Sequence, residues 1–374
     1  RRLRLEADLV FGFRTVRWEE VHAETFCSSC VFLQMTLAAR NAAAFVPGAA
    51  FLQPRHRALQ ITAAKNSLPL AARKRRTPCA APKCGGIATM SASAEGIRRE
   101  AKTGERMRDL EIHVHEDKTS VVFDYTPGKK DIPTVVYLPG FFYARTKTAK
   151  PTSLALQCKR KQQGFIVLDY SGTDRSGGDF AHGTVSRWVA EVEAVLDAAL
   201  ERSREKVVLV GSGIGGWIML HVAQRRPDQV VGLVGLSADP DFTEKLLRPT
   251  LSEEQQSTLD KPEGEIELKW GYRTYPIHHA LVEDGKKMLV LNGRDSIPVK
   301  CPVRLVVGMA DEEVPSSLAL ELVDALQSRD VALEFVKIGD HALEREEDFR
   351  LMWRYVCEVS DKYFEFDLGS PASG

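Results

Sequence analysis

Val207-Val-Leu-Val-Gly211-Ser212-Gly213-Ile214-Gly215-Gly216-Trp217 decides how the rest of the chain is read. Four aliphatic residues, a glycine-punctuated break and a second apolar run describe a strand, a sharp turn and a helix. Gly211 and Gly215 stand two residues either side of Gly213. That is the small-x-nucleophile-x-small spacing of a tight strand-to-helix elbow, whose tip normally displays a nucleophile. Small residues are required there because the turn is tight and the helix packs closely back on the strand. In this register the tip is Gly213, which has no side chain. Reading Ser212 as the tip puts Val210 and Ile214 at the small positions, which does not fit, and aims Ser212 away from the site. A dinucleotide-binding loop is the other reading of such a turn. Gly211-x-Gly213-x-Gly215-Gly216 lacks its third spacing and opens on the fifth strand of the sheet.

Outward from the elbow, short apolar strands alternate with helical stretches. Leu110–His115 and Ser120–Tyr125 read as two strands, the second closed by Thr126-Pro127-Gly128. Thr134–Leu138, Phe165–Asp169, Val207–Gly211, Val231–Leu236, Val303–Val307 and Leu333–Lys337 follow, with helices near 150–162, 184–202, 215–225, 315–327 and 343–363. This alternation predicts an α/β fold: a mostly parallel eight-stranded sheet with helices on both faces, begun by an antiparallel pair. The folded domain is expected over 106–365, with a disordered tail at 366–374. Between Leu236 and Cys301 the rhythm stops. Helical pieces at Asp241–Leu247, Ser252–Leu259 and Ile277–Asp284 predict a small helical cap inserted at about 238–300. Such a cap would sit over the carboxyl edge of the sheet, where open α/β sheets bind ligands. A packing helix pair is the other reading.

Two polar residues follow the last two strands in the order an elbow fold demands. Asp311 lies in Gly308-Met-Ala-Asp311-Glu-Glu-Val-Pro315 and His341 in Ile338-Gly-Asp340-His341. On adjacent loops the carboxylate would fix the imidazole tautomer and the imidazole would act as general base. A solvated loop aspartate and an incidental surface histidine are the alternative. Backbone N–H groups of Phe141, in Tyr137-Leu-Pro139-Gly140-Phe141-Phe142, and of Ile214 are the candidate oxyanion donors. Being main-chain groups, they survive the loss of a serine.

Several stretches together resemble a known family. They are Pro-Gly-Phe-Phe at 139–142, Asp-Tyr-Ser-Gly at 169–172, Ser-Gly-Gly-Asp-Phe at 176–180 and the elbow. Pro240-Asp-Phe-Thr243, Tyr275-Pro-Ile-x-x-Ala-Leu-Val-Glu-Asp-Gly285 and Cys301-Pro-Val-Arg-Leu complete the set. The segment from about 130 to 360 resembles the branch of α/β-hydrolases that contains a mitochondrial palmitoyl-protein thioesterase, also an acyl-glucuronide esterase, and its bacterial relatives. The resemblance implies an α/β-hydrolase fold and an acyl ester or thioester as ligand, free or on an acylated protein. Members of that branch read Gly-Ser-Ser-x-Gly-Gly-Trp, with the second serine as nucleophile. Here that position is Gly213, so the thioesterase activity does not carry over unchanged.

The chain's bulk properties exclude other classes. With 44% hydrophobic and 27% charged residues, its 374 residues have the composition of a globular protein. Lys+Arg and Asp+Glu balance at 51 each, which gives no reason to expect nucleic acid as partner. No apolar run is long enough to span a membrane. Seven scattered cysteines do not make a disulfide framework. Cys27-x-x-Cys30 with Cys79 and Cys84 gives a weak zinc pattern with no ordered scaffold, and neither metal nor cofactor is expected.

The charge balance is uneven along the chain. Thr25 to Ala94 holds no Asp or Glu, while Arg40, Arg55, Arg57, Lys65, Arg73, Lys74, Arg75, Arg76 and Lys83 are basic. Residues 1–105 therefore read as a transit peptide or disordered basic region, with Met35 as a candidate start. A basic tail that binds something acidic is the alternative. The resemblance favours the mitochondrion; Ala43-Ala-Phe-Val-Pro47 keeps a plastid open as the alternative.

Glycine at an elbow tip relieves the backbone strain that a side chain would bear there. Three classes of function are compatible with it: a non-catalytic relative that keeps the acyl pocket, a serine-type thioesterase or carboxylesterase altered in this sequence, and a non-hydrolytic lyase using His341 and the oxyanion loop.

Overall fold

The computed structural model describes residues 94–270 and 273–369, all within one compact unit. β1 (Met107–Val114) and β2 (Thr119–Thr126) form the antiparallel start. β3 (Thr134–Leu138), β4 (Phe165–Asp169), β5 (Val207–Ser212) and β6 (Val230–Leu236) follow. With β9 (Val303–Gly308) and β10 (Val331–Val336) they build an eight-stranded sheet of order β1-β2-β4-β3-β5-β6-β9-β10. From β4 through β10 every neighbouring pair is parallel, and β2 joins β4 antiparallel.

The strand alternation splits the core in two. Val136 and Leu138 of β3, with Val207 and Leu209 of β5, pack on one face with Trp188 and Trp217. Those two tryptophans come from α3 (Val185–Ala199) and α4 (Ile214–Arg225). Val135, Tyr137, Val208 and Val210 face the other side. There they meet Leu154 and Cys158 of α2 (Ala149–Lys161), and Met352, Val356 and Val359 of α8 (Glu346–Gly369). A period of two with both faces apolar is what a parallel sheet covered by helices requires. α7 (Ser316–Ala325) follows β9 and buries Leu318, Leu322 and Ala325 in the first layer.

Three expectations change. Residues 94–105 read by composition as the end of the basic leader, yet Ala94–Glu100 is a helix, α1, whose Ile97 is buried in the first core layer. Ile97, flanked by Ala94 and Ala101, packs into the core, and Arg98 donates to the carbonyl of Asp197 in α3, which brings this segment into the fold. At the other end α8 runs to Gly369, past the boundary expected at 365, and residues 370–374 lie outside the described residues. The expected leader up to residue 93, with its cysteines, also lies outside them.

The cap is the third change. It contains a π-helical turn Thr243–Leu247, a short turn Arg248–Thr250 and α5 (Glu253–Leu259), whose Ser252 and Gln255 form a reciprocal capping box. Next comes an antiparallel hairpin of β7 (Glu265–Trp270) and β8 (Arg273–His278). Only then does α6 (His279–Lys287) begin. The helix expected over Ile277–Asp284 thus starts two residues later, and a hairpin precedes it. Glu265, Glu267 and Lys269 are exposed while Leu268 is buried, the period-two pattern of a half-buried strand.

Candidate active site

The elbow is formed. β5 lies between β3 and β6 and ends at Ser212; α4 starts at Ile214. Gly213 between them has φ +53° and ψ −125°, a conformation L residues rarely adopt. Its N–H donates to Leu236 O at 3.1 Å, and its carbonyl accepts from Gly216 N–H at 2.7 Å and Asp239 N–H at 3.3 Å. Gly215 is needed for closeness: a Cβ there would sit 2.2 Å from Leu138 O. Gly213 differs. A Cβ on it would meet Asp239 Oδ2 at 3.5 Å, His341 Nε2 at 3.7 Å and Gly140 Cα at 3.8 Å, all ordinary contacts. The space for a side chain is open, and only the backbone angle argues against one.

Asp311 and His341 come together from the loops after β9 and β10. His341 Nδ1 and Asp311 Oδ2 are 3.0 Å apart. Asp311 Oδ1 accepts from the N–H groups of Glu313 at 2.8 Å and Val314 at 2.9 Å. Burial alone would raise this carboxyl, but the hydrogen bond and charge of His341 and the two backbone donors outweigh it and hold its pKa below the ordinary value. His341 feels the opposite balance. Burial disfavours its charged ring, yet the hydrogen bond and charge of Asp311, then the charges of Glu313 and Asp239, leave its pKa above the usual value. Nε2 points toward the elbow tip, with Glu313 Oε2 3.9 Å away.

A cavity of about 130 Å³ lies over Gly213. Gly140, Phe141, Ser212, Asp239, Glu313 and His341 border it from the carboxyl edge of the sheet, and Phe242, Leu246, Leu268, Tyr275 and Ile277 of the cap segment cover it. It adjoins a more open groove that shares Tyr143, Leu246, Leu268, Glu313 and His341. Phe141 packs against Phe180 at 4.9 Å and against Phe242 and Tyr275 at 5.4 Å between ring centroids, fixing the loop after β3 beside the elbow. Ile214 is buried as the first residue of α4, where a helix leaves its N–H groups without intrahelical acceptors.

Ser212 does not point away from the site as expected. It borders the cavity and shares a side-chain hydrogen bond with Tyr137, because the end of β5 lies alongside β3. Sequence reasoning also passed over Asp239, Glu313 and Lys150. Lys150, second in α2, is buried against the cavity; burial lowers its pKa while Glu344, Asp340 and Asp348 pull it back up. Asp239 is 5% exposed, and its Oδ1 has no hydrogen-bond partner. Burial carries its pKa well above the carboxylate range; His341 offsets this only in part, and Asp311 and Glu313 add to it. Its place directly after β6, at the carboxyl end of the strand beside the elbow, was the available signal. Among the described residues no cluster of His, Cys, Asp or Glu could hold a metal, and no helix is long and apolar enough to cross a membrane.

Comparison with known proteins agrees with this architecture. The model of the alpha/beta hydrolase family matches residues 135–347, more than half of the chain. Mouse "Palmitoyl-protein thioesterase ABHD10, mitochondrial" is 32% identical over 238 residues, covering 63% of this chain and 77% of that protein. Among solved structures, a putative hydrolase from Agrobacterium vitis S4 superposes with a TM-score of 0.62 at 34% identity, covering 68% of this chain and 98% of the other. Mouse ABHD10 itself gives a TM-score of 0.59 at 29% identity, over 67% of this chain and 97% of that one. The chain belongs to the alpha/beta hydrolase family, in the lineage of the ABHD10 palmitoyl-protein thioesterases.

Proposed function

We propose that this protein binds acyl thioesters or esters in the cavity over Gly213 and has lost the acyl-serine route of its lineage. The observation that carries the reading is the elbow itself. Asp311 and His341 are paired at 3.0 Å and Nε2 faces the tip, yet the tip carries no side chain. In the first residue of α4 and the loop after β3, the N–H groups of Ile214 and Phe141 are the donors for a carbonyl oxygen of the ligand. The cavity alone is smaller than the ~300–1,000 Å³ that encloses most drug-sized ligands, so a long acyl chain would run on into the adjoining groove. The acyl group arrives either on a small thiol or on an acylated protein.

Removing the nucleophile of a serine hydrolase leaves only about 10³–10⁴ of acceleration over water, from binding and the oxyanion hole. Gly213→Ser is the test. A fluorophosphonate probe should label the variant at its new hydroxyl and leave the parent unlabelled, and thioester hydrolysis should rise at least about a hundredfold. Strong labelling of the parent would require another nucleophile and would defeat the reading.

The acid-free basic stretch at 25–94 and the mitochondrial name of the mouse relative support mitochondrial import. A fluorescent fusion of residues 35–105, imaged against mitochondrial and plastid markers, tests this; plastid signal would overturn it.

A further inference from the structure

We propose that Asp239 and His341 hold a water molecule in the space above Gly213 that a serine side chain would fill, and activate it for direct attack on the bound acyl carbonyl. The proposal rests on the acyl-binding reading above and adds a chemical step to it.

Two reactive atoms converge on one point above the elbow tip. Asp239 Oδ2 is 3.5 Å and His341 Nε2 3.7 Å from where a Cβ of residue 213 would stand. The two atoms flank that point, and a water in the cavity beyond it would lie between an acceptor and a donor. Asp239 is also a buried carboxyl whose other oxygen, Oδ1, has no hydrogen-bond partner among the described residues, so the fold does not tie the group down as a structural acceptor. Its position is firmly set. Asp239 N–H donates to Gly213 O, and two residues later Asp241 accepts from Val290 N–H at 2.8 Å and Leu291 N–H at 3.0 Å. The loop after β6 is thereby tied to the elbow on one side and to the end of the cap on the other.

The two groups divide the proton work. The oxygen of the water forms a bond to the acyl carbon as its proton passes to the Asp239 carboxylate. The tetrahedral oxyanion rests on the N–H groups of Phe141 and Ile214. It collapses with cleavage of the carbon–sulfur bond, and the imidazolium of His341 protonates the departing thiolate. Free acid and thiol leave, and transfer of the proton from Asp239 to His341 restores the starting pair. Burial raises the pKa of the Asp239 carboxyl and so strengthens it as a base, while the hydrogen bond and charge of Asp311 raise that of His341 against its own burial and suit it to the role of acid. The pair is active with one proton between its members. Asp311 and Glu313 face it from the β9 loop, and Tyr137, Tyr143, Lys150 and Glu344 border the same cavity.

The test uses the full chain with octanoyl-CoA as substrate and its non-cleavable 2-oxononyl thioether as binding probe. Asp239→Asn should bind the thioether within about threefold of the parent and lose hydrolysis by about a hundredfold or more. The parent should show a bell-shaped pH profile, and the variant should lack its acid limb. Gly213→Ser/Asp239→Asn should still take a fluorophosphonate label, which shows that the variant folds. A single turnover in ¹⁸O-water should put label in the octanoate and none in Asp239. Label in Asp239 overturns the proposal in favour of carboxylate attack. Equal hydrolysis by parent and Asp239→Asn overturns it, as does thioether binding with no hydrolysis above a His341→Ala control; in both cases the acyl-binding reading survives. Failure to bind the thioether ends both.

Discussion

The loops after β6 and β9 each bring an aspartate with a buried side chain to the same imidazole, and the pKa values of the two are shifted in opposite directions. Asp311 spends both oxygens on donors: Oδ1 on two backbone N–H groups and Oδ2 on His341 Nδ1. Its pKa falls below the ordinary value even though burial opposes this. Asp239 has no such donors on Oδ1, and burial raises its pKa well above that value. Burial is common to both, so it does not set the charge. The hydrogen bond and charge of His341, backed by two backbone N–H groups, decide it for Asp311; Asp239 has the charge of His341 without its hydrogen bond.

The largest effect separates the two acids by chemistry. In a Gly213→Ser background, Asp311→Asn should lower thioester hydrolysis by about 10⁴-fold, because the imidazole tautomer is no longer fixed. Asp239→Asn in that background should change it less than about tenfold, since serine then supplies the nucleophile. Equal losses in steady-state kinetics would erase the distinction between the loops.

Stability should separate them next. Asp311→Ala leaves the N–H groups of Glu313 and Val314 unpaired and should cost about 1–3 kcal/mol at neutral pH by denaturant unfolding. Because the folded pKa of Asp311 is lowered, its contribution is present above the ordinary carboxylate value and is lost as pH falls through the folded one. The loss caused by Asp311→Ala should therefore shrink toward acid.

Gly213→Ser should cost about 1–3 kcal/mol in the same assay, through backbone strain alone, since the side-chain space is open. Activity regained without this loss would mean that the elbow tip relaxes in the variant.

The smallest effect carries the opposite sign. The folded pKa of Asp239 is raised, so its stabilising contribution is complete below the ordinary carboxylate value and disappears as pH rises through the folded one. Asp239→Asn should leave the melting temperature nearly unchanged at pH 4 and raise it at pH 8, by about 1 kcal/mol or ~2–4 °C. A destabilised variant at pH 8 would show that the carboxylate is satisfied by a partner, and the contrast with Asp311 would fail.

The sequence by itself determined the sheet, the elbow and the acid–base order. Val207–Val210 and the other apolar strands carry their burial in a local period, and Gly211, Gly213 and Gly215 carry the turn in a fixed spacing. The order of Asp311 and His341 after the last two strands follows from the same rhythm. The β7–β8 hairpin was equally local, in the alternation of Glu265, Glu267 and Lys269 with Ile266 and Leu268, but the surrounding helical pieces obscured it. Tertiary structure alone decided the rest. Asp239 is 26 residues from Gly213 and 102 from His341 along the chain, and no periodicity relates them. They meet because β5, β6, β9 and β10 are neighbours in that order, so that the loops at one end of four adjacent strands converge on one cavity. The charge of Asp239 is equally non-local, since it depends on donors that other segments provide or withhold. Ile97 docks for the same reason: one large apolar residue between alanines makes no pattern along the chain, and its place comes from a helix about ninety residues away, where Arg98 also donates to Asp197 O.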